Sequence, residues 1–208
     1  MAMSVTIYVA FYSRYGSIEQ MAKYVAEGVR EVEGAEPLLR YTGDPCTPED
    51  VRLANERWAR THERLMAEYP LATGQELGEC DGACFGSPTR FGNAAAPMRS
   101  FFDSLAGLWT GGQLIGKPGG TFTGTATLHG GQEVTSLTMW PPMIHLGMVI
   151  VGIPYSVPEI SSTRTGGSPY GPSHFATPSE DRPVDETEAA VARVLGRRVA
   201  EIAAKLKS

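Results

Sequence analysis

Near its start the chain holds an unbroken apolar run, Val5-Thr6-Ile7-Tyr8-Val9-Ala10-Phe11. A run of this length, bounded by polar turn residues, suits a strand buried on both faces of a parallel sheet. Ser13-Arg14-Tyr15-Gly16-Ser17 follows, and then Ile18, Met21, Ala22, Val25, Ala26 and Val29 recur at helical spacing. Gly34 makes a plausible C-cap, and Glu36 to Tyr41 reads as a second strand. A strand-loop-helix-strand opening implies a right-handed crossover, and with it a parallel sheet.

The rest of the chain repeats that alternation. Asp81 to Ser87 predicts a third strand, Gly119 to Thr123 a fourth and Met148 to Gly152 a fifth. Helices are predicted from about Ala96 to Leu105, from Val134 to Leu146, and from about Asp185 to Lys207. Pro141-Pro142 should kink or split the second of these, since proline removes a donor and clashes with the preceding turn. Pro154 to Arg182 reads as irregular. The expected fold is α/β, a doubly wound five-stranded parallel sheet with helices on both faces, in one domain spanning residues 1–208. Between Cys46 and Tyr69 the composition shifts. Thr47-Pro48-Glu49-Asp50 looks like a helix start. Val51, Leu53, Ala54, Trp58, Leu65 and Met66 then form a narrow apolar stripe among charges. This predicts a helical insertion near residues 46–69, one long, mostly exposed helix ended by Pro70, which either extends a subunit contact, the reading Trp58 and Leu65 favour, or simply sits in solvent.

Composition excludes several classes of function. Of 208 residues, 42% are hydrophobic and 20% charged, which argues against disorder. Eighteen Lys+Arg against 23 Asp+Glu give a net charge of -5, a poor basis for gripping nucleic acid. No apolar run approaches the roughly 20 residues of a membrane helix. Met1-Ala2-Met3-Ser4 lacks the basic start of a secretion signal. The three cysteines, Cys46, Cys80 and Cys84, are not a disulfide framework. No second pair completes a zinc site around Cys80-x-x-x-Cys84, so both read as small core residues, no metal is expected, and a cytoplasmic location is.

In open parallel sheets, ligands bind outside the carboxyl ends of the strands. That singles out three loops. Ser13 to Ser17 places hydroxyls and Gly16 directly before a helix, which suits an anion such as phosphate; it equally suits a plain turn with Ser17 as N-cap. Pro88 to Asn93 joins a proline turn to Arg90 and Phe91, which suits a flat conjugated ring or, more plainly, a surface loop with Phe91 packed inward. Thr123 to Gly131 carries Gly124, Thr125, Thr127, His129, Gly130 and Gly131, allowing close backbone approach to a ligand or merely a flexible connection. No G-x-G-x-x-G occurs. Gly111 to Lys117 approaches a Walker A loop, but Pro118 stands where a hydroxyl is needed and a strand follows, so it reads as a turn. Together the three loops describe a phosphate site beside a planar-ring site, a pocket for flavin mononucleotide (FMN).

These strings resemble the WrbA family, the flavodoxin-like NAD(P)H:quinone oxidoreductases. The likeness is carried by Ser13 to Ile18, Gly86 to Asn93, Gly107-Leu108-Trp109, His129-Gly130-Gly131-Gln132-Glu133, His145-Leu146-Gly147-Met148 and Gly167-Ser168-Pro169-Tyr170-Gly171. It covers nearly the whole chain outside residues 42 to 75. The resemblance implies a flavodoxin-like fold with one noncovalent FMN per subunit. Ser13, Arg14, Tyr15, Gly16, Ser17 and Ile18 would hold its phosphate. Thr89, Arg90 and Phe91 would line the ring. Gly124, Thr125, Ala126, Thr127, Leu128, His129 and Gly130 would wrap the other edge, and His145 would approach the ring from a neighbouring segment. The resemblance also makes Tyr15 the nicotinamide-nucleotide contact and Trp109 the substrate contact, and implies a homotetramer. Two strings depart from the family. Gly124-Thr125-Ala126-Thr127 replaces its Ser-Thr-Gly-Thr, and His145-Leu146 its paired histidines.

The expected activity is two-electron reduction of quinones to hydroquinones by NAD(P)H, in ping-pong order because both substrates share one ring face. Trp109 and Phe91 would be aromatic walls, and His145 would protonate or hydrogen-bond the quinone oxygen, or would simply pack at a helix end. The competing readings are a flavodoxin-type one-electron carrier, a regulatory flavodoxin-fold binding protein, and an FMN-dependent azo or metal reductase.

Overall fold

The first strand, β1 (Val5–Phe11), is followed by α1 (Ser17–Arg30) and β2 (Ala35–Tyr41), and β1 and β2 pair in parallel from Val5 against Ala35 to Phe11 against Tyr41. The structure is a computed structural model that describes residues 4–207; residues 1–3 and 208, which include part of the N-terminal segment read above and the ends of the expected domain, lie outside the described residues. The chain continues through α2 (Glu49–Leu53), α3 (Glu56–Glu68) and α4 (Gly74–Glu79) to β3 (Gly82–Arg90) and β4 (Asn93–Ala94). Then come α5 (Ala96–Asp103), α6 (Ala106–Gly111), β5 (Pro118–Thr125) and α7 (Gln132–His145). The last elements are β6 (Val149–Ile150), α8 (Pro158–Ser162), β7 (Ser173–Phe175) and α9 (Glu186–Lys207).

The parallel sheet runs β2-β1-β3-β5-β6, reversing direction of growth at β1, with β4 antiparallel to β3 and β7 parallel to β5. Helices cover both faces. On one, α1 and α9 pack over Val9, Phe11 and Phe122, with Ile18, Val25, Leu195 and Val199 buried between. On the other, α4 to α7 close over Tyr8 and Phe85 with Met98, Leu105, Met139 and Met143. The first pair of helices touches backbone to backbone. A Cβ at Gly28 would lie 1.8 Å from the Arg193 carbonyl oxygen, and one at Gly196 would lie 1.9 Å from that of Val25. Only glycine permits that approach.

Four expectations are corrected. The sheet has seven strands rather than five, because β3 folds back into the antiparallel β4 and because the fifth strand is short. Val149–Ile150 pairs with the first half of β5, and β7 takes the second half. The chain leaves the ladder at Gly152, where a Cβ would meet the Pro169 carbonyl at 2.5 Å, and Pro154 has no N–H to continue it. The insertion is two helices, broken at Ala54-Asn55: Asn55 is extended (φ -116) and its side chain accepts from the Trp58 amide, so it caps α3 instead of continuing α2. Trp58 and Leu65 do not wait for another subunit; they are 5% and 0% exposed inside their own chain. Finally, α7 passes through Pro141 and Pro142 without a break. The two carbonyls deprived of donors belong to Leu137 and Thr138, both only partly buried, so water can satisfy them.

Candidate cofactor and substrate site

Three strand ends meet at the carboxyl edge of the sheet. After β1, Ser13 is fully buried, and its Oγ accepts from the amides of Gly16 (3.0 Å) and Ile18 (3.2 Å). The cap of α1 is therefore Gly16, with φ 99 and no side-chain cap bond, and not Ser17. The result is a tight loop over a helix N-terminus, with the Ser17 hydroxyl left partly exposed. Such a terminus favours an anion.

At the second strand end the structure departs from the expected loop. β3 runs on through Arg90 and turns back into β4, with Thr89 opposite Ala94 and Arg90 opposite Asn93. The two turn residues, Phe91 (φ 54) and Gly92 (φ 79), are both left-handed, as a two-residue hairpin of this hand requires. Phe91 is a bulky residue in that region, at a cost of about 1–3 kcal/mol, and its ring is fully exposed (102%). The ring is held outward, not packed inward.

The third segment, 124–131, leans on the other two. A Cβ at Gly124 would meet Ile18 Cδ1 at 2.8 Å, so a serine there would require the tip of the Ile18 side chain to shift. Ala126 keeps ordinary, non-left-handed backbone. Thr125 donates to the Thr127 carbonyl (2.7 Å) and the Gly130 amide bonds the same oxygen (3.1 Å). Thr127, Leu128 and His129 are exposed at the rim. Thr89 Oγ1 joins this segment to the hairpin: it accepts from the Gly92 amide and from Thr135 Oγ1 (2.8 Å), and lies 3.5 Å from the Gly130 carbonyl. The three segments thus form one concave edge. β7, beside β5, is pinned by buried His174, whose Nδ1 lies 2.8 Å from Glu188 on α9.

Sequence reasoning missed the clasp that the insertion places over the first loop. Asn55 Nδ2 donates to the Tyr15 hydroxyl (3.0 Å), and the guanidinium of Arg57 stands 4.9 Å from the Tyr15 ring centre. Arg14 lies over Trp58, 3.8 Å from its ring centre. Glu19, in the first turn of α1, receives Arg64 (3.1 Å), Lys23 (2.7 Å) and Tyr69 (2.9 Å). Burial alone would raise its carboxyl, but these hydrogen bonds outweigh it and bring the pKa down to about 2. An N-cap asparagine three residues before Trp58 was the available signal.

Trp109 and His145 are not at this edge. Both are exposed and line a second pocket of about 250 Å³ with Phe102, Leu105 and Pro142. His145 ends α7, so the helix separates it from Gly131 by about 20 Å. Two of the cysteines are buried: burial pushes the Cys80 thiol up to about 12 and raises that of Cys84 as well.

A strand order that reverses at β1, with an anion loop at that reversal and two further strand-end segments closing on it, defines a flavodoxin-like α/β domain. The chain belongs to the NADPH-dependent FMN reductase family, whose profile matches residues 3–160. It is 47% identical over 204 residues to the NAD(P)H dehydrogenase (quinone) of Geobacter sulfurreducens, covering 96% of this chain and 98% of that one. The enzyme of the same name from Geobacter metallireducens is 47% identical over 207 residues, covering 97% and 98%. Among solved structures, a flavodoxin, WrbA-like protein from Agrobacterium tumefaciens superposes with a TM-score of 0.63 at 22% identity, covering 97% and 99%. Oxidised flavodoxin 1 from Bacillus cereus gives 0.59 at 14% identity, covering 94% and 97%. No helix among the described residues is long and apolar enough to cross a membrane.

Proposed function

We propose that this protein is an FMN-dependent NAD(P)H:quinone oxidoreductase. The observation that carries the reading is the meeting of the Ser13 loop, the Thr89–Phe91 hairpin and the 124–130 segment at one edge, tied through Thr89 and through the contact of Gly124 with Ile18. The near-full-length relatives of the same name support it.

The residues present fit FMN. The helix N-terminus at residues 14–18, already ordered by Ser13, would take the phosphate, and Thr89, Arg90 and Phe91 would line one edge of the ring. Gly124, Thr125, Ala126, Thr127, Leu128, His129 and Gly130 would wrap the other. Bound there, FMN would accept a hydride from the nicotinamide nucleotide and deliver two electrons to a quinone. Tyr15, held by Asn55 and flanked by Arg14 and Arg57, would meet the nucleotide. Trp109 would wall the quinone, and His145 would hydrogen-bond its oxygen. Since these two share a separate pocket, a neighbouring copy would bring them to the ring face, in a homotetramer. Exposed Trp109, Ile115, Ile144 and Val149 support such an assembly. Three free cysteines fit a reducing, cytoplasmic setting.

The test is steady-state oxidation of NADH and NADPH by the FMN-loaded protein with benzoquinone, varying both substrates. Parallel double-reciprocal lines are expected. FMN binding without turnover of either nucleotide would overturn the reading in favour of an electron carrier or a regulatory protein.

A further inference from the structure

Beside the hairpin lies a cleft of about 740 Å³, large enough for a nucleotide fragment. Its walls come from parts of the chain far apart in sequence. They include Arg14 of the first loop, Arg90 and Phe91 of the hairpin, Arg99 of α5, and Trp58 of α3. Three guanidiniums in one cleft are unusual for a chain of net charge -5. Asp103 is the carboxylate in the lining, and no ion pair joins it to them among the described residues.

Several arginines elsewhere are neutralised by carboxylates. Arg40 meets Glu76, Arg64 meets Glu19, Arg182 meets Glu188, Arg193 meets Glu27 and Arg197 meets Glu31. In the cleft, among the described residues, Arg90 bonds only the Thr89 carbonyl and the buried Nε of Arg14 has no partner. Arg14 is nevertheless fixed, because its guanidinium stacks on Trp58 at 3.8 Å. Asp44 sits behind the wall, buried and already engaged by the Tyr12 hydroxyl (2.9 Å) and the Thr47 amide. Guanidiniums held open in this way match a phosphate monoester, whose oxygens accept paired N–H donors.

We propose that this cleft holds the adenosine end of NADPH through its 2′-phosphate, so that Arg99 with Arg14 and Arg90 selects NADPH over NADH. The proposal rests on the nicotinamide-nucleotide reading above and deepens it. It also gives the insertion a role, since Trp58 of α3 is what props Arg14 in place.

The experiment uses the FMN-loaded full chain and adenosine 2′,5′-bisphosphate, titrated by calorimetry beside ADP. Binding of the bisphosphate about tenfold tighter than ADP is expected, the worth of one charge-assisted hydrogen bond. Arg99→Glu should weaken it by at least that factor, and should raise KM for NADPH about tenfold more than KM for NADH. An unchanged flavin spectrum and circular dichroism would show the variant folded. Equal binding of ADP and the bisphosphate, or an unmoved ratio of the two KM values in Arg99→Glu, would overturn the proposal. The calorimetric arm needs no turnover, so failure of the reductase assay with bisphosphate binding intact would sink the reductase reading and leave the phosphate cleft standing.

Discussion

The two ends of the candidate machinery are built in opposite ways. Around the Ser13 loop nearly every side chain is engaged within the chain. Ser13 orders the loop, Asn55 holds Tyr15, Trp58 carries Arg14, and Glu19 gathers Arg64, Lys23 and Tyr69. Around Trp109 and His145 the side chains are exposed, with Trp109 at 62% and neighbouring Ile144 at 57%. The difference teaches that one chain fixes the loop before α1 by itself but leaves the surface around Trp109 open. A site for a charged group needs fixed donors, because dipoles that must reorganise stabilise charge poorly. A wall for an apolar ring needs only surface, which a second copy can supply.

Two helical glycines test most sharply how tightly the closed and open parts of the chain are packed. Gly28→Ala, near the C-terminal end of α1 and so about 16 Å along the helix from the Ser13 loop, would drive a Cβ to 1.8 Å from the Arg193 carbonyl oxygen. It is expected to cost about 3 kcal/mol or more in a urea unfolding experiment. Gly107→Ala, on α6 beside Trp109, meets nothing within 4 Å and should be neutral or stabilising by up to about 1 kcal/mol. Similar losses at both sites would show that the surface around Trp109 is as tightly packed as the contact between α1 and α9.

Glu19 gives the next largest effect. Its folded carboxyl titrates at about 2, below its ordinary 4.5. A depressed carboxyl contributes fully above the unfolded value, and that contribution is lost as pH falls from about 4.5 through 2. With Arg64 and Lys23 half-exposed, the contribution is about 2 kcal/mol after screening. Glu19→Gln should therefore unfold more easily at neutral pH and show a flatter stability curve between pH 4.5 and 2. A variant curve parallel to the parent's throughout would remove Glu19 from the account. The smallest effect on stability belongs to Trp109→Ala, within about 0.5 kcal/mol of the parent because the ring is exposed. The same variant should raise KM for benzoquinone about tenfold, the loss of one aromatic contact. A large fall in stability without a change in KM would make Trp109 structural.

Much of the first end was legible in the sequence. The apolar run at Val5–Phe11 and the periodicity after Ser17 placed β1, α1 and the loop between them, because burial on two faces and on one stripe leave distinct patterns. The loop's internal order was not legible: whether Ser13 or Ser17 serves the helix terminus depends on which backbone Gly16 adopts. The insertion was misread for a similar reason. Its stripe was visible, but Trp58 and Leu65 look the same whether a neighbour or the chain itself covers them. The hairpin at Phe91-Gly92 was hidden because it uses a phenylalanine where such turns ordinarily take asparagine, aspartate or glycine.

The sequence by itself determined the alternation of strands and helices, the parallel sheet and the three strand-end segments, since those follow from local periodicity and from the handedness of crossovers. Only the tertiary structure decided which side chains meet. Arg14, Arg90 and Arg99 come from three elements and share a cleft, whereas Trp109 and His145, expected at the ring, face another pocket. Such meetings depend on helix packing and on contacts between residues many positions apart, such as Asn55 with Tyr15 and Gly28 with Arg193, which no local pattern encodes.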